Sequence, residues 1–213
     1  MPRRSRCLAV ACLLAVAAAC TQAGEPPAVT DAFRKEFLKN FKRTWLNTTP
    51  EDAMLLRILV EARNAQRGVE VGSATGYGAL NMGIGFERTG GHLFTLEIDP
   101  EMVKACRANI AKMGLQKTVT CVQGDALKTI PTLEGPIDFV FIDALKSDYL
   151  KYLKALEPKL KKGAVIAADN TIRYAASMRD FLDYLAASPD YEMVTIRASD
   201  EKRDGMTIAY KLR

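Results

Sequence analysis

The chain has 213 residues, is 48% hydrophobic and carries a formal net charge of +5, which is enough apolar material for one domain with a sizeable core. Three of the positive charges are arginines that precede any acidic residue, and the remainder holds 27 basic against 25 acidic residues. No basic block is dense enough for nucleic-acid binding, so we expect no nucleic-acid partner.

The N-terminus has the pattern of an export signal. Arginines at positions 3, 4 and 6 precede an apolar run over 7–20, which is too short to span a bilayer comfortably. We therefore predict a signal peptide over 1–19, a flexible tether over 20–30 and a periplasmic location in a bacterium. The ending Ala17-Ala18-Ala19-Cys20 resembles a bacterial lipoprotein signal, which would put a lipid anchor on Cys20. Ordinary cleavage and a membrane anchor that faces the cytosol are the alternatives.

Two helices are predicted next. Phenylalanines at positions 33, 37 and 41 recur at helical spacing, so 31–43 is predicted to be an amphipathic helix. A second helix is predicted to begin at Pro50, with Thr49 as its cap.

A glycine-rich stretch follows at 69–80. A β-branched run leads into Gly72, Gly76 and Gly78, and 79–86 is predicted to be helical. Strand, glycine turn and helix let the backbone approach a nucleotide-like ligand, because glycine has no Cβ. The spacing differs from that of pyrophosphate-binding folds. It favours a ligand without a diphosphate, and S-adenosylmethionine fits; an ordinary glycine-rich turn is the alternative.

From there strands and helices alternate, which predicts a parallel sheet with both faces covered, in one domain over 31–213. The last two strands are close in sequence and predict an antiparallel hairpin at one edge. The predicted strands are 93–98, 118–123, 137–142, 164–168, 191–196 and 206–210, and the predicted helices are 100–113, 149–161 and 177–187. Of the five cysteines, Cys106 and Cys121 fall inside this domain and are predicted to be two buried thiols and not a bridge.

Polar residues follow each of the first five predicted strands, where ligands bind in such sheets. Glu97 lies 25 residues after Gly72, as expected for an acid that accepts hydrogen bonds from both ribose hydroxyls. Asp125 suits the adenine edge. Asp143 and the pair Asp169-Asn170 follow the next two strands.

Asp143, Asp169 and Asn170 are hard oxygen donors. With water and two substrate oxygens they could complete an octahedron, which predicts Mg²⁺ or another small divalent ion. A turn that caps the following helix is the alternative for Asp169-Asn170. Lys146, three residues after Asp143, would face the same cleft, and a neighbouring dication favours its neutral form as a general base. A solvated lysine is the alternative there.

These motifs together resemble the class I, cation-dependent O-methyltransferases of the catechol and caffeoyl-CoA type, over residues 48–213. The segments that carry the resemblance are Thr-Thr-Pro-Glu-Asp, Val-Glu-Val-Gly with Gly-Tyr-Gly-Ala-Leu, Leu-Glu-Ile-Asp-Pro, Phe-Ile-Asp-Ala-Leu-Lys-Ser-Asp-Tyr, Ala-Asp-Asn-Thr and Asp-Gly-Met-Thr-Ile-Ala. The resemblance implies a Rossmann-like α/β fold with a mostly parallel seven-stranded sheet, and a homodimer. It implies the metal ligands named above, Lys146 as the base and Asp143 at the reaction centre. The cofactor set is Glu70, Gly72, Ser73, Gly76, Tyr77, Gly78, Glu97, Ile98, Asp125, Ala126 and Asp143.

The sequence departs from this family at two positions. Gly78 stands where serine is common, and Leu145 replaces an acid of the caffeoyl-CoA branch, so CoA-ester substrates are not carried over. Tyr149 and Tyr174 are candidates for closing over the acceptor, with ordinary packing as the alternative.

The predicted function is therefore methyl transfer from S-adenosylmethionine to a hydroxyl of a small catechol-like or vicinal-diol acceptor, with a divalent ion and a lysine base. Because S-adenosylmethionine is made in the cytosol, export leaves open a second hypothesis. In it, the chain is an exported protein of the same fold that binds the nucleoside without turnover. A nicotinamide-dependent oxidoreductase is a third, disfavoured by the glycine spacing.

Overall fold

The computed structural model describes residues 29–213, and its centre is one seven-stranded sheet in the order β3-β2-β1-β4-β5-β7-β6. The strands are β1 Arg67–Val71, β2 His92–Glu97, β3 Val119–Gln123, β4 Ile137–Ile142, β5 Leu160–Ala168, β6 Tyr191–Ile196 and β7 Met206–Lys211. The first five strands pair in parallel, whereas β7 pairs antiparallel with both β5 and β6. The predicted sheet and its antiparallel hairpin are confirmed.

Helices cover both faces of the sheet, and each face has its own hydrophobic core. The helices are α1 Asp31–Lys39, α2 Pro50–Arg63, α3 Tyr77–Thr89, α4 Pro100–Lys112, α5 Ala126–Thr129, α6 Tyr149–Leu156 and α7 Arg179–Ala187. On one face Phe86 of α3 meets Phe139 of β4 edge to face. On the other, Tyr149 of α6 meets Phe181 of α7 with ring centroids 5.6 Å apart. All six residues of β4 are buried, as expected for a central strand covered on both faces.

Helix α1 ends earlier than the aromatic spacing predicts, at Lys39 and not at residue 43. Asn40 ends it, and its side-chain amide donates to the Glu36 carbonyl at 3.1 Å. Its backbone N–H donates to the same carbonyl at 3.1 Å, so the backbone and side chain of Asn40 together close the last turn of the helix. The chain then turns away, and Phe41 packs on Tyr77.

The helix predicted over 149–161 is also too long. α6 ends at Leu156, a short 3₁₀ turn occupies Glu157–Lys159, and β5 begins at Leu160. Pro158 explains the end, because proline has no N–H to donate and its ring clashes with the preceding turn of a helix. Lys161 and Lys162 therefore lie in β5 and not at the end of a helix.

Cys106 and Cys121 are both buried and unbridged, which confirms the prediction of two buried thiols. Within residues 29–213, no helix has both the length and the apolar character needed to cross a membrane. The predicted signal peptide, Cys20 and most of the predicted tether lie outside the described residues.

Candidate active site at the carboxyl ends of the strands

Backbone hydrogen bonds align the first residues after the parallel strands. Asp143 N donates to Val71 O at 2.9 Å, and Asp169 N donates to Ile142 O at 3.0 Å. Gly72 N and Gly124 N extend the ladder in the same way toward β2. The polar residues that follow five separate strands therefore form one continuous rim, as the sequence predicts.

The glycine turn after β1 packs directly on the end of β4. Gly72 has φ +91°, and a Cβ there would lie 2.2 Å from the carbonyl oxygen of Asp143. Gly76, with φ +96°, is the residue before α3, and its Cβ would lie 2.9 Å from Cys106 Sγ. The rim has a cofactor half, which follows β1, β2 and β3, and an Asp143 half, which follows β4 and β5. The glycine turn brings the two halves into close backbone contact.

This close contact gives a test of the turn. We expect Gly72→Ala to lower the free energy of unfolding by about 3 kcal/mol, since it adds a left-handed φ penalty to an overlap with backbone. Gly90→Ala is the matched control, because Gly90 has φ +72° but open space around its Cβ, and it should cost about 1 kcal/mol. Urea denaturation measures both. Equal losses in the two variants would contradict the packing described here.

Glu97 is held against the glycine turn. One carboxylate oxygen accepts from Ser73 N at 3.2 Å and Ala74 N at 2.8 Å, and the other accepts from Ile98 N and Asp99 N. These four contacts fix the orientation of the carboxylate at the rim. Its predicted role toward a ribose is compatible with this position.

The other predicted cofactor residues lie around the same end of the sheet, with one exception. Asp125 accepts from Leu127 N at 3.0 Å and caps α5, which begins at Ala126. Ile98 is 68% exposed beside Glu97. The Tyr77 ring, in contrast, packs on Phe41 with centroids 5.1 Å apart, so this side chain turns toward the α1 side, and its place in the cofactor set stays a prediction.

Glu70 is a buried acid in the middle of this cofactor half. It accepts a hydrogen bond from Thr95 Oγ1, and burial raises the pKa of its carboxyl to about 8. A Cβ at residue 78 would lie 2.6 Å from Glu70 Oε1. Glycine at position 78, where the resembling family commonly has serine, therefore leaves room for this carboxylate.

The raised pKa of Glu70 predicts a pH dependence. The folded protein holds this proton more tightly than the unfolded chain, whose carboxyl titrates near 4.5. The contribution of Glu70 to the free energy of unfolding is therefore fully present below about pH 4.5 and is lost as the pH rises to about 8.

We expect Glu70→Gln to remove this loss, so that its thermal midpoint in the absence of cofactor falls less than that of the wild type between pH 5 and 8. Differential scanning calorimetry measures the difference. Exposed Glu192 provides the control variant Glu192→Gln, which should keep the wild-type slope. An unchanged slope in Glu70→Gln would mean that Glu70 is not protonated in the fold.

On the other half of the rim, Lys146 and Tyr149 connect two predicted metal ligands. Lys146 Nζ donates to Asp143 Oδ1 and to the Tyr149 hydroxyl, both at 2.8 Å. Tyr149 is fully buried, and its hydroxyl donates to the Asp169 carbonyl at 3.2 Å. Tyr149 thus holds Lys146 in place and does not close over the acceptor, which corrects one alternative for this residue.

Asp169 is a buried carboxylate, and one of its oxygens accepts two hydrogen bonds. Its Oδ1 accepts from Asn170 N at 2.7 Å and from Lys202 Nζ. Burial raises the pKa of Asp169 to about 7, the charge of Asp143 adds to the rise, and Lys202 opposes it. Ile142 and Ala168, the residues before Asp143 and Asp169, pair across β4 and β5, so the structure brings the two acids together although they are 26 positions apart in the sequence.

Asn170 has a left-handed backbone, with φ 61°. Its side-chain N–H donates to Asp204 Oδ2 at 3.1 Å. Asp204 also accepts from the backbone of Ile172, Arg173 and Gly205, so it is firmly fixed. Because the amide nitrogen is engaged, the amide oxygen is left as an acceptor.

This donor set fits a small divalent ion. Two carboxylates and an amide oxygen are ligands that Mg²⁺ and Mn²⁺ prefer. The acids Asp52, Asp143, Asp169 and Asp204 outnumber the ammonium groups of Lys146 and Lys202 by two, so a dication would balance the charge. Among residues 29–213 no three Asp, Glu, His or Cys side chains form a metal site by themselves, and the third ligand would be the amide.

Sequence reasoning missed three residues around this end of the sheet. Lys202 pairs with Asp169 and Asp52, and its only sequence signal is a lysine in the polar turn before β7. Asn47 Nδ2 and Thr48 Oγ1 are buried without a hydrogen-bond partner within the described part of the chain. Thr48 lies beside Gly78. Buried polar atoms are normally paired, so these two are groups that a ligand could satisfy.

Comparison with known proteins identifies the family of this chain. The family model described as "O-methyltransferase" matches residues 21–210. The chain is 32% identical to a catechol O-methyltransferase of Mycobacterium tuberculosis over 178 residues, which is 83% of this chain and 76% of that protein. It is 31% identical to the O-methyltransferase ankF of Aspergillus thermomutatus, where the match covers 62% of this chain and 56% of the relative.

Solved structures share the whole fold. The cofactor-bound structure of Rv0187 from MTB superimposes with a TM-score of 0.75 at 28% identity and covers 90% of this chain and 92% of that one. The O-methyltransferase TomG of Streptomyces achromogenes, solved in complex with SAM, gives a TM-score of 0.75 at 25% identity, with 85% and 89% covered.

Proposed function

The chain belongs to the O-methyltransferase family and is an S-adenosylmethionine-dependent O-methyltransferase, and from this premise we propose that it methylates a hydroxyl of a small catechol-like or vicinal-diol acceptor with the help of a divalent ion. One observation carries the proposal: Asp143, Lys146, Tyr149 and Asp169 are joined by hydrogen bonds at one end of the sheet. The names of the mycobacterial and fungal relatives support the reaction class. Family membership also sets aside the nicotinamide-dependent alternative.

Asp143, Asp169 and Asn170 would hold the ion, and when bound it would bind the acceptor oxygens and stabilise their deprotonated form. A diol offers two adjacent oxygens to such a site. An acceptor with a single hydroxyl would lose one of these contacts, so vicinal diols are the preferred class.

Lys146 is the proposed general base. Its side chain is 20% exposed, so it is shielded but open to an acceptor. Tyr149, buried and with its hydroxyl already donating to the Asp169 carbonyl, orients the amine. In its neutral form, Lys146 accepts the proton from the acceptor hydroxyl at Nζ.

The deprotonated oxygen then attacks the methyl carbon of the sulfonium. A C–O bond forms, the C–S bond breaks with its electron pair moving to sulfur, and neutral S-adenosylhomocysteine leaves. The glycine turn, Glu97 and the rim at Asp143 place donor and acceptor side by side, and this positioning supplies a large part of the rate.

A labelled-methyl transfer assay over a panel of catechols, other vicinal diols and their mono-hydroxyl analogues tests the proposal. We expect transfer to diols that EDTA suppresses and added Mg²⁺ restores. Transfer that is indifferent to EDTA would overturn the role of the ion. Cofactor binding without transfer to any member of the panel would favour a binding protein without turnover.

We also propose that the protein is exported, with residues 1–19 as the signal and Cys20 as the lipid site. Support comes from three arginines ahead of a short apolar run that ends in alanines and a cysteine. Protease accessibility in spheroplasts separates export from an anchor that faces the cytosol. The homodimer stays a prediction that sedimentation would test.

A further inference from the structure

Lys202 lies in the turn between β6 and β7, and its side chain reaches into the centre of the site. Its ammonium donates to Asp52 Oδ2 at 2.6 Å and to Asp169 Oδ1. The lysine side chain is 17% exposed, while those of Asp52 and Asp169 are only 2% and 3% exposed. The reaction steps above make no use of this lysine.

The ammonium occupies one oxygen of a carboxylate that the ion also needs. Asp169 Oδ1 already accepts from Asn170 N, so the contact with Lys202 leaves little capacity on that atom. A cation held at such short range also repels a second cation, and the repulsion is strong where water is largely excluded. The structure therefore places a positive charge of the chain beside the position that a divalent ion would take.

Asp52 fixes this lysine independently of Asp169. Its Oδ2 also accepts from Thr49 Oγ1 at 2.8 Å, at the start of α2. Around it, Ser199 donates to Glu51 at 3.1 Å, and Arg43 pairs with Glu201 at 2.9 Å. Three separate contacts hold the β6–β7 turn on α2 and the segment before it, so Lys202 stays near the site even when Asp169 turns to another partner.

We propose that Lys202 is a tethered cation that competes with the divalent ion for the Asp169 carboxylate. The ammonium neutralises buried Asp169 when no ion is bound, and it lowers the affinity of the site for the ion. The inference rests on the proposed ion site. It goes further, because it proposes that a residue that is not a ligand of the ion sets the affinity of the site for the ion.

Direct Mn²⁺ binding to the cofactor-free protein tests this, by isothermal titration calorimetry and by the EPR signal of free Mn²⁺. Lys202→Met removes the charge and keeps the aliphatic stem, and we expect it to bind Mn²⁺ at least tenfold more tightly than the wild type. Lys202→Arg, which keeps the charge, should stay within threefold of the wild type. Lys151→Met is the matched control, because Lys151 forms an exposed pair with Asp148, and it should bind as the wild type does.

Stability supplies a second readout. In EDTA, Lys202→Met leaves Asp52 and Asp169 without their cation, so its thermal midpoint should fall, and Mn²⁺ should raise that midpoint more than it raises the wild-type midpoint. If Lys202→Met does not fold, Lys202→Gln removes the charge while it keeps hydrogen-bond donors, and the same affinity gain is expected.

The outcomes separate this inference from the proposed function. Tighter Mn²⁺ binding by Lys202→Met or Lys202→Gln supports the inference even if no acceptor is methylated. Affinity that is unchanged or weaker in both variants overturns it even if methyl transfer is ion-dependent. If neither the wild type nor the variants bind Mn²⁺, the inference is overturned together with the ion site.

Discussion

Asp169→Asn and Asp143→Ala should each reduce kcat for methyl transfer by about 1,000-fold or more, while binding of S-adenosylmethionine stays within a few fold of the wild type. Each variant removes a carboxylate proposed to hold the ion, whose charge stabilisation is worth several kcal/mol in the transition state. Asp143 is the one member of the predicted cofactor set that follows β4, whereas the other ten lie in or just after β1, β2 and β3, and their contacts should maintain cofactor binding. Labelled-methyl transfer and calorimetric titration of the cofactor measure the two effects.

Asparagine is the better substitution at position 169. It keeps the shape of the side chain, whereas alanine would leave a cavity beside the buried ammonium of Lys202. Asp183→Ala is the matched control, since Asp183 is 70% exposed and pairs with Arg179 at 3.4 Å on the surface of α7. Near-normal rates in both Asp143→Ala and Asp169→Asn would refute the assignment of these acids to the ion.

Lys146→Met is expected to lower kcat by about 100- to 10,000-fold, the range over which a positioned general base acts. The amine makes two hydrogen bonds of 2.8 Å within the site, to Asp143 and to Tyr149, and methionine keeps the stem without the proton acceptor. KM for the acceptor should change much less, because the acceptor oxygens are proposed to bind the ion. Steady-state kinetics with a catechol acceptor separate the two parameters.

A second variant at the same hydrogen bond sharpens this test. Tyr149→Phe removes the hydroxyl that orients Lys146 and should lower kcat by a smaller factor, about tenfold, since the base remains. Lys151→Met replaces an exposed lysine of α6 and should have no effect on kcat. If Lys146→Met retained more than a third of the wild-type kcat, another group or the solvent would have to take the proton.

The positions of the site residues were predictable because each follows a strand. Val69, Val140 and Ile166 belong to short apolar runs whose ends are marked by glycine or acid, and the parallel pairing of these runs places their ends side by side. The order of strands in the sheet did not need to be known for this conclusion. It was enough that all carboxyl ends face the same way.

Other contacts could not be predicted, because they join segments with no common pattern. Lys202 meets Asp52 across 150 residues of sequence, and nothing local shows that the turn before β7 folds onto α2. Tyr149 was a candidate for covering the acceptor, with packing as the alternative, and its hydrogen bond to Lys146 appears only once α6 is docked on the sheet. The helix predicted over 149–161 is present but ends five residues early, at Leu156, because Pro158 cannot continue it.

The antiparallel strand β7 has a consequence for how this protein can change over evolution. Because β7 runs against β5, with Ala168 opposite Thr207, the turn that carries Lys202 reaches the reaction centre from the beginning of a strand, whereas the other contributions come from the ends of strands. Such a turn can gain, lose or exchange residues without a shift in the cofactor half, since β4 and β5 separate β1, β2 and β3 from β7 in the sheet. Divergence of related sequences in acceptor preference and in metal requirement should therefore concentrate between β6 and β7.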